Sequence, residues 1–170
     1  SCGIVGLKPT YGRVSRFGVT ALSWTLDHAG PMTKTVADNA ILLQAIAGAD
    51  EHDATAAAEP VPDYTRALTG NVQGLRIGVP TTYFFNGIDA ETAAAVHRAL
   101  ATLKEQGAVL VDVSVRNIEL AGPAAAIIRL SEAASFHEKR LNEHAQVFEP
   151  RVRQNLEAGT FDSAVDYIKA

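Results

Sequence analysis

Cysteine occurs once in this chain, as Cys2, so an internal disulfide is excluded and a reducing, cytoplasmic setting is the default expectation. Methionine and tryptophan also occur once each, as Met32 and Trp24. No apolar run reaches the roughly 18–20 residues that a membrane-spanning helix needs, so no membrane role is expected. Positive charge is not in excess: 15 Lys and Arg stand against 19 Asp and Glu, a net charge of −4. Nucleic-acid binding usually needs a concentrated basic patch, and none is expected here. The five histidines (His28, His52, His97, His137 and His144) show no H-x-x-x-H or H-E-x-x-H spacing and have no cysteine ligands beside them. Neither a metal site nor a cofactor is therefore expected.

What is present fits a globular α/β chain. Apolar residues make up 47% of 170 residues, enough for one domain or a large piece of one. Two features predict that the chain is a segment of a longer protein. It opens on an irregular stretch from Cys2 to Ser15, behind Ser1 rather than a methionine. Its last predicted helix stops at Ala170 with Val165 and Ile168 lacking a partner.

Residues 1–34 read as glycine-rich and irregular, with short extended pieces at Ile4–Val5 and at 19–22. A helix is predicted over 36–47, started by the T-x-x-D pattern of Thr35 and Asp38 and stopped by Gly48. Its apolar residues Ile41, Leu42, Leu43 and Ile46 cover most of its circumference, which predicts burial on several sides. Residues 51–74 form a surface loop with a short helical piece near Asp63–Leu68. A β-α-β unit follows over 75–116. Its strands are Leu75–Val79, ended by Pro80, and the alternating Val109, Val111, Val113 and Val115. Asp89 caps the intervening helix, whose stripe is Val96, Leu100 and Leu103, and Gly107 closes it. Residues 117–170 are expected to be helical: a long helix from Pro123 to about His144, a short one near 151–157 ending at Gly159, and a last one capped by Thr160.

Chemistry-bearing residues are few. Cys2 lacks any neighbour that would lower its pKa and reads as a buried structural thiol. Lys8 could serve Ser15 or Ser23 only if desolvated, which nothing nearby promises, so Lys8 and Arg13 read as holding the loop. Gly3, Gly6 and Gly12 match no phosphate-binding pattern and read as turn residues. His97 is expected to be exposed and His137 to sit hydrogen-bonded at the core edge. Glu132, Glu138, Lys139, Arg140 and Glu143 read as a solvated helix face. The segment Ser23–His28 gathers the lone tryptophan, hydroxyls, a carboxylate and an imidazole in one loop. Trp24, Thr25 and Asp27 are the candidate lining of a substrate pocket.

The series Cys-Gly-x-x-Gly-Leu-Lys-Pro-Thr-x-Gly-Arg, Leu-Asp-x-x-Gly-Pro-Met, Thr-Val-x-Asp and Leu-Leu-x-x-Ile-x-Gly runs in order through residues 2–50. With weaker landmarks at 75–80 and Ser131-Glu132-Ala133, it resembles the amidase signature family. That resemblance implies part of an α/β/α sandwich, a mixed sheet flanked by helices, as a single partial domain over 1–170. It also implies cleavage of carboxamide C–N bonds by a Ser–cis-Ser–Lys triad. The nucleophile of that family comes from a Gly-Gly-Ser-x-Arg segment that does not occur here, so no residue of this chain is assigned as catalytic. The chain is then expected to begin just after that motif and to be inactive alone, with a small amide as substrate of the full-length protein. Two alternatives stand beside this reading. One is a fragment of a tRNA-dependent amidotransferase A subunit. The other is a non-catalytic assembly module that associates through exposed core faces, with itself or with a partner chain.

Overall fold

The structure, a computed structural model, describes residues 2–170. Two compact units divide it: residues up to Leu68 together with Ala124–Ala170, and Thr69–Pro123. Both combine helices with a small sheet, an α/β construction.

In the first unit, β1 (Val5–Gly6) pairs antiparallel with β2 (Met32–Thr33), Val5 opposite Thr33 and Gly6 opposite Met32. The Leu7 amide extends this pairing to the Pro31 carbonyl at 3.1 Å. Gly30 makes that approach possible, since a Cβ there would sit 2.1 Å from the Leu7 carbonyl oxygen. Helix α1 (Val36–Ile46) starts as its sequence predicts: Thr35 Oγ1 accepts from the Asp38 amide and donates to the Asp38 carboxylate. Buried Asn39 ties α1 to the ribbon by donating to the Val5 and Pro31 carbonyls at 3.1 and 3.2 Å. The predicted burial of α1 on several sides does not hold. Only Asn39 and Leu43 are buried, while Ile41 is 58% exposed and Leu42 and Ile46 are also open. β1, β2 and a short 3-10 turn at Tyr64–Ala67 pack against this largely apolar helix. No extended piece forms at 19–22.

The second unit contains β3 (Arg76–Pro80), α2 (Ala90–Glu105) and β4 (Val109–Val113), with β3 parallel to β4 from Arg76–Val109 to Pro80–Val113. Asp89 caps α2 by accepting from the Glu91 and Thr92 amides at 2.8 and 3.0 Å. Gly107, at φ +97°, turns the chain into β4. His97 is exposed and stacks on Phe85, with centroids 5.2 Å apart.

Helix α3 (Ile118–His144) begins five residues before the predicted start, behind Asn117 at φ +58°. Pro123 lies inside it. A proline this near the N-terminus forfeits a single intrahelical bond, so the helix forms around it. Pro150 opens α4 (Pro150–Gly159), where Glu149 accepts from the Val152 amide. Gly159 lets α4 approach α3 closely, because a Cβ there would meet the Leu130 carbonyl oxygen at 2.1 Å. Ser163, not Thr160, caps α5 (Ala164–Lys169). The Thr160 hydroxyl instead donates back to the Glu157 carbonyl and closes α4. None of the described helices is long and apolar enough to cross a membrane.

Candidate functional site

The loop 22–28 is built from its own hydrogen bonds. Asp27 Oδ2 accepts from the Leu22 and Ser23 amides at 2.8 and 3.0 Å, and the Ser23 carbonyl accepts from the Asp27 amide at 2.9 Å. These bonds curl the segment and turn Trp24 outward. The Trp24 carbonyl accepts from Tyr11 Oη at 3.0 Å and from Arg16 Nη1 at 2.6 Å. Its indole meets Phe136 of α3 edge to face, with centroids 6.0 Å apart.

Trp24 and Asp27 line a cavity of about 280 Å³, together with Arg16, Phe17, His52, Asp53 and Phe136. Its walls are largely apolar, with Phe17, Trp24 and Phe136 beside Val19 and Ala21, and Arg16 and Asp53 are held in place. Arg16 reaches Tyr11 Oη and Thr55 Oγ1 and stacks 4.7 Å above the Tyr11 ring. Its Nε is buried without a hydrogen-bond partner, 4.0 Å from Asp53 Oδ2. Asp53 is held at a pKa of about 2 by the Thr55 hydroxyl, then the Arg16 and Thr55 amides, against some desolvation, with the Arg16 charge adding to the effect. It is thus a fixed anion at neutral pH.

Thr25, the third candidate from the sequence, turns away from the cavity. Its amide and hydroxyl donate to Glu132 Oε2 and Oε1 at 3.0 and 2.7 Å. Ser23 Oγ donates to Oε2 at 2.6 Å, and Tyr167 Oη of α5 donates to Oε1 at 2.7 Å. Glu132 is therefore not part of a solvated face. It is 4% exposed, and Ser23 is 1% exposed. Burial is the largest influence on the Glu132 pKa and raises it. The hydrogen bonds from Ser23, the Thr25 amide, Tyr167 and the Thr25 hydroxyl together outweigh burial and bring it to about 2. The same contact raises the Tyr167 pKa. One sequence signal pointed here: Glu132 interrupts the row Ile128, Glu132, Phe136 at spacing four, where a carboxylate between apolar neighbours calls for donors.

The remaining candidates are not brought together as catalytic groups. Cys2 is exposed, contrary to the buried thiol expected, because the opening residues have no covering element among those described. Lys8 Nζ donates to the Pro9 carbonyl, while Ser15 Oγ donates to Asp50. Asp50 has a lowered pKa, first through that bond, and is a weak proton acceptor. Arg13 acts as a strut, with Nε on Tyr64 Oη and Nη1 and Nη2 on the Glu59 and Pro60 carbonyls. His137 Nε2 donates to the Ala21 carbonyl at 3.2 Å, at the edge of the loop. Among the described residues, no three His, Cys, Asp or Glu side chains converge to hold a metal.

The family model named Amidase matches residues 1–168. The chain is 46% identical to an amidase of Pseudomonas putida over 170 residues, covering 99% of this chain and 36% of that protein. It is 42% identical to the glutamyl-tRNA(Gln) amidotransferase A subunit of Chloroflexus aggregans, covering 99% of this chain and 38% of the relative. The crystal structure of the corresponding protein from Thermotoga maritima superimposes with a TM-score of 0.77 at 33% identity, over 99% of this chain and 35% of that one. A bacterial aryl acylamidase of the amidase signature family shares the fold at a TM-score of 0.78 and 20% identity, over 98% of this chain and 36% of that one. The chain thus spans little more than a third of the length of these relatives and carries part of their α/β fold. With the family pattern running through residues 2–50 and the family model matching nearly end to end, this chain belongs to the amidase family.

Proposed function

We propose that this chain is the downstream scaffold and pocket-wall segment of an amidase that hydrolyses small carboxamides. Its Ser–cis-Ser–Lys triad would be supplied by residues outside the 170. In that reaction a neutral lysine draws a proton through the bridging serine. The nucleophilic serine attacks the carbonyl, backbone amides hold the oxyanion, the amine leaves, and water releases the acid. The observation that carries this reading is the clamped 22–28 loop, which presents Trp24 and Asp27 to a cavity of about 280 Å³. Within the chain, Ser15 faces a poor base and Lys8 is engaged elsewhere, which supports inactivity of the segment alone. The setting proposed is the cytoplasm, where exposed Cys2 stays a thiol.

A second reading, an amidotransferase A subunit, is favoured by 54% identity over 134 residues to that protein of Brevibacillus brevis. Against it, the alignment to the Pseudomonas putida amidase runs over 170 residues, whereas that to the Chloroflexus aggregans protein runs over 187 and needs gaps. Ammonia release separates the readings. The longer protein should release ammonia from simple aliphatic and aryl amides without a partner, and the 170-residue chain should not. Release by the chain itself, lost in Lys8→Ala, would refute the scaffold reading. Turnover of glutamine only, and only with partner subunits, would establish the second.

A further inference from the structure

Glu132 lies outside the cavity, yet it holds both residues that flank Trp24. Ser23 and Thr25 are bound to its two oxygens through three hydrogen bonds of 2.6 to 3.0 Å. The intervening Trp24 carbonyl is held from another side by Tyr11 and Arg16. Tyr167 of α5 occupies the remaining acceptor capacity of Glu132 Oε1. No cationic side chain among the described residues pairs with this buried carboxylate. Its donors are all neutral, and three of the four belong to one loop. A carboxylate placed only for stability gains most from a cation or a helix end. This one is spent on the backbone and hydroxyls on either side of a single indole.

We propose that Glu132 is a positioning residue: it sets the Trp24 indole against Phe136 and so fixes the apolar wall that selects amides bearing a bulky apolar or aromatic acyl group. The inference rests on the amidase reading for its substrate and on the loop geometry for its mechanism. A carboxylate with four donors leaves Ser23 and Thr25 one conformation. Glutamine offers a single acceptor oxygen and turns an NH2 toward those donors, so the loop must rotate one of them away. The Trp24–Phe136 edge contact would then be lost, while Asp27, which is bonded within the loop, would keep its two amide partners.

Two readouts on Glu132→Gln and on the milder Thr25→Val test this. Trp24 is the only tryptophan of the chain, so acrylamide quenching of the 170-residue protein reports its position directly. Both variants should be quenched more strongly than the parent, Glu132→Gln the more so. Unchanged quenching in both would overturn the proposal. In the longer enzyme, kcat/KM on an aryl or long-chain acyl amide should fall on the order of tenfold to a hundredfold, mainly through KM, while acetamide turnover changes little. An equal loss on both substrates would mark Glu132 as structural only and overturn the specificity role. If Glu132→Gln fails to fold, Thr25→Val decides by the same two measures. Absence of any amide turnover in the parent enzyme would sink the amidase reading and the specificity role with it, and the quenching result would still decide whether Glu132 orients Trp24.

Discussion

Replacing Glu132 by glutamine should produce a stability loss that depends on pH in a particular way. The carboxyl titrates at about 2 in the folded chain against its ordinary 4.5. A tenfold difference in proton affinity between the folded and unfolded chains corresponds to about 1.4 kcal/mol, so the ionised form contributes about 3 kcal/mol at neutral pH. Since folding lowers this pKa, the unfolded chain binds the proton more tightly. The contribution is therefore complete above about pH 4.5 and fades as pH falls from there through about 2. Glutamine cannot ionise and resembles the protonated state. Thermal unfolding followed by far-UV circular dichroism should show Glu132→Gln melting roughly 6–12 °C lower at pH 7, since about 1 kcal/mol moves the midpoint of a protein this size by roughly 2–4 °C. The gap between parent and variant should narrow steadily below pH 4.5. A carbon-13 titration of the Glu132 carboxyl gives the same quantity without unfolding. A gap that stays constant from pH 7 to pH 3, or a titration midpoint near the ordinary value, would refute the hydrogen-bond argument.

Gly12→Ala should destabilise by about 2 kcal/mol or more, because Gly12 has φ +77° and a Cβ there would meet the Thr55 carbonyl oxygen at 2.3 Å. Gly3→Ala, with φ +61° but nothing within 4 Å, should cost clearly less, and denaturant midpoints of the two variants check the order. Asp89→Ala removes the cap of α2 and should cost about 1 kcal/mol, read as faster hydrogen exchange at its first amides. Arg13→Lys cannot keep contacts to Tyr64, Glu59 and Pro60 together, so limited proteolysis should cut sooner within residues 59–64.

The elements whose start is a local event were legible in the sequence. Thr35 and Asp89 cap α1 and α2 because a short side-chain oxygen satisfies amides two or three residues ahead, which no distant residue needs to arrange. The start of α3 was misplaced for the same kind of reason. Pro123 suits a first helical position, but Asn117 at positive φ begins the helix earlier, and one lost bond is tolerated. The exposure of α1 was not legible, since a mostly apolar circumference says that a helix seeks neighbours and not how many faces the described residues cover.

For the candidate site, residue chemistry by itself picked out the loop that holds Trp24, Thr25 and Asp27 as a candidate pocket wall and gave Lys8, Ser15 and Cys2 no catalytic role. Periodicity and capping determined the α/β class. Only the tertiary structure decided that Thr25 faces Glu132 rather than the cavity, and that Glu132 is buried. Those partners lie more than a hundred residues apart along the chain. Whether a carboxylate stays in water or is buried depends on donors arriving from distant elements, and in this chain the 22–28 loop and α5 bring four of them to Glu132 on α3.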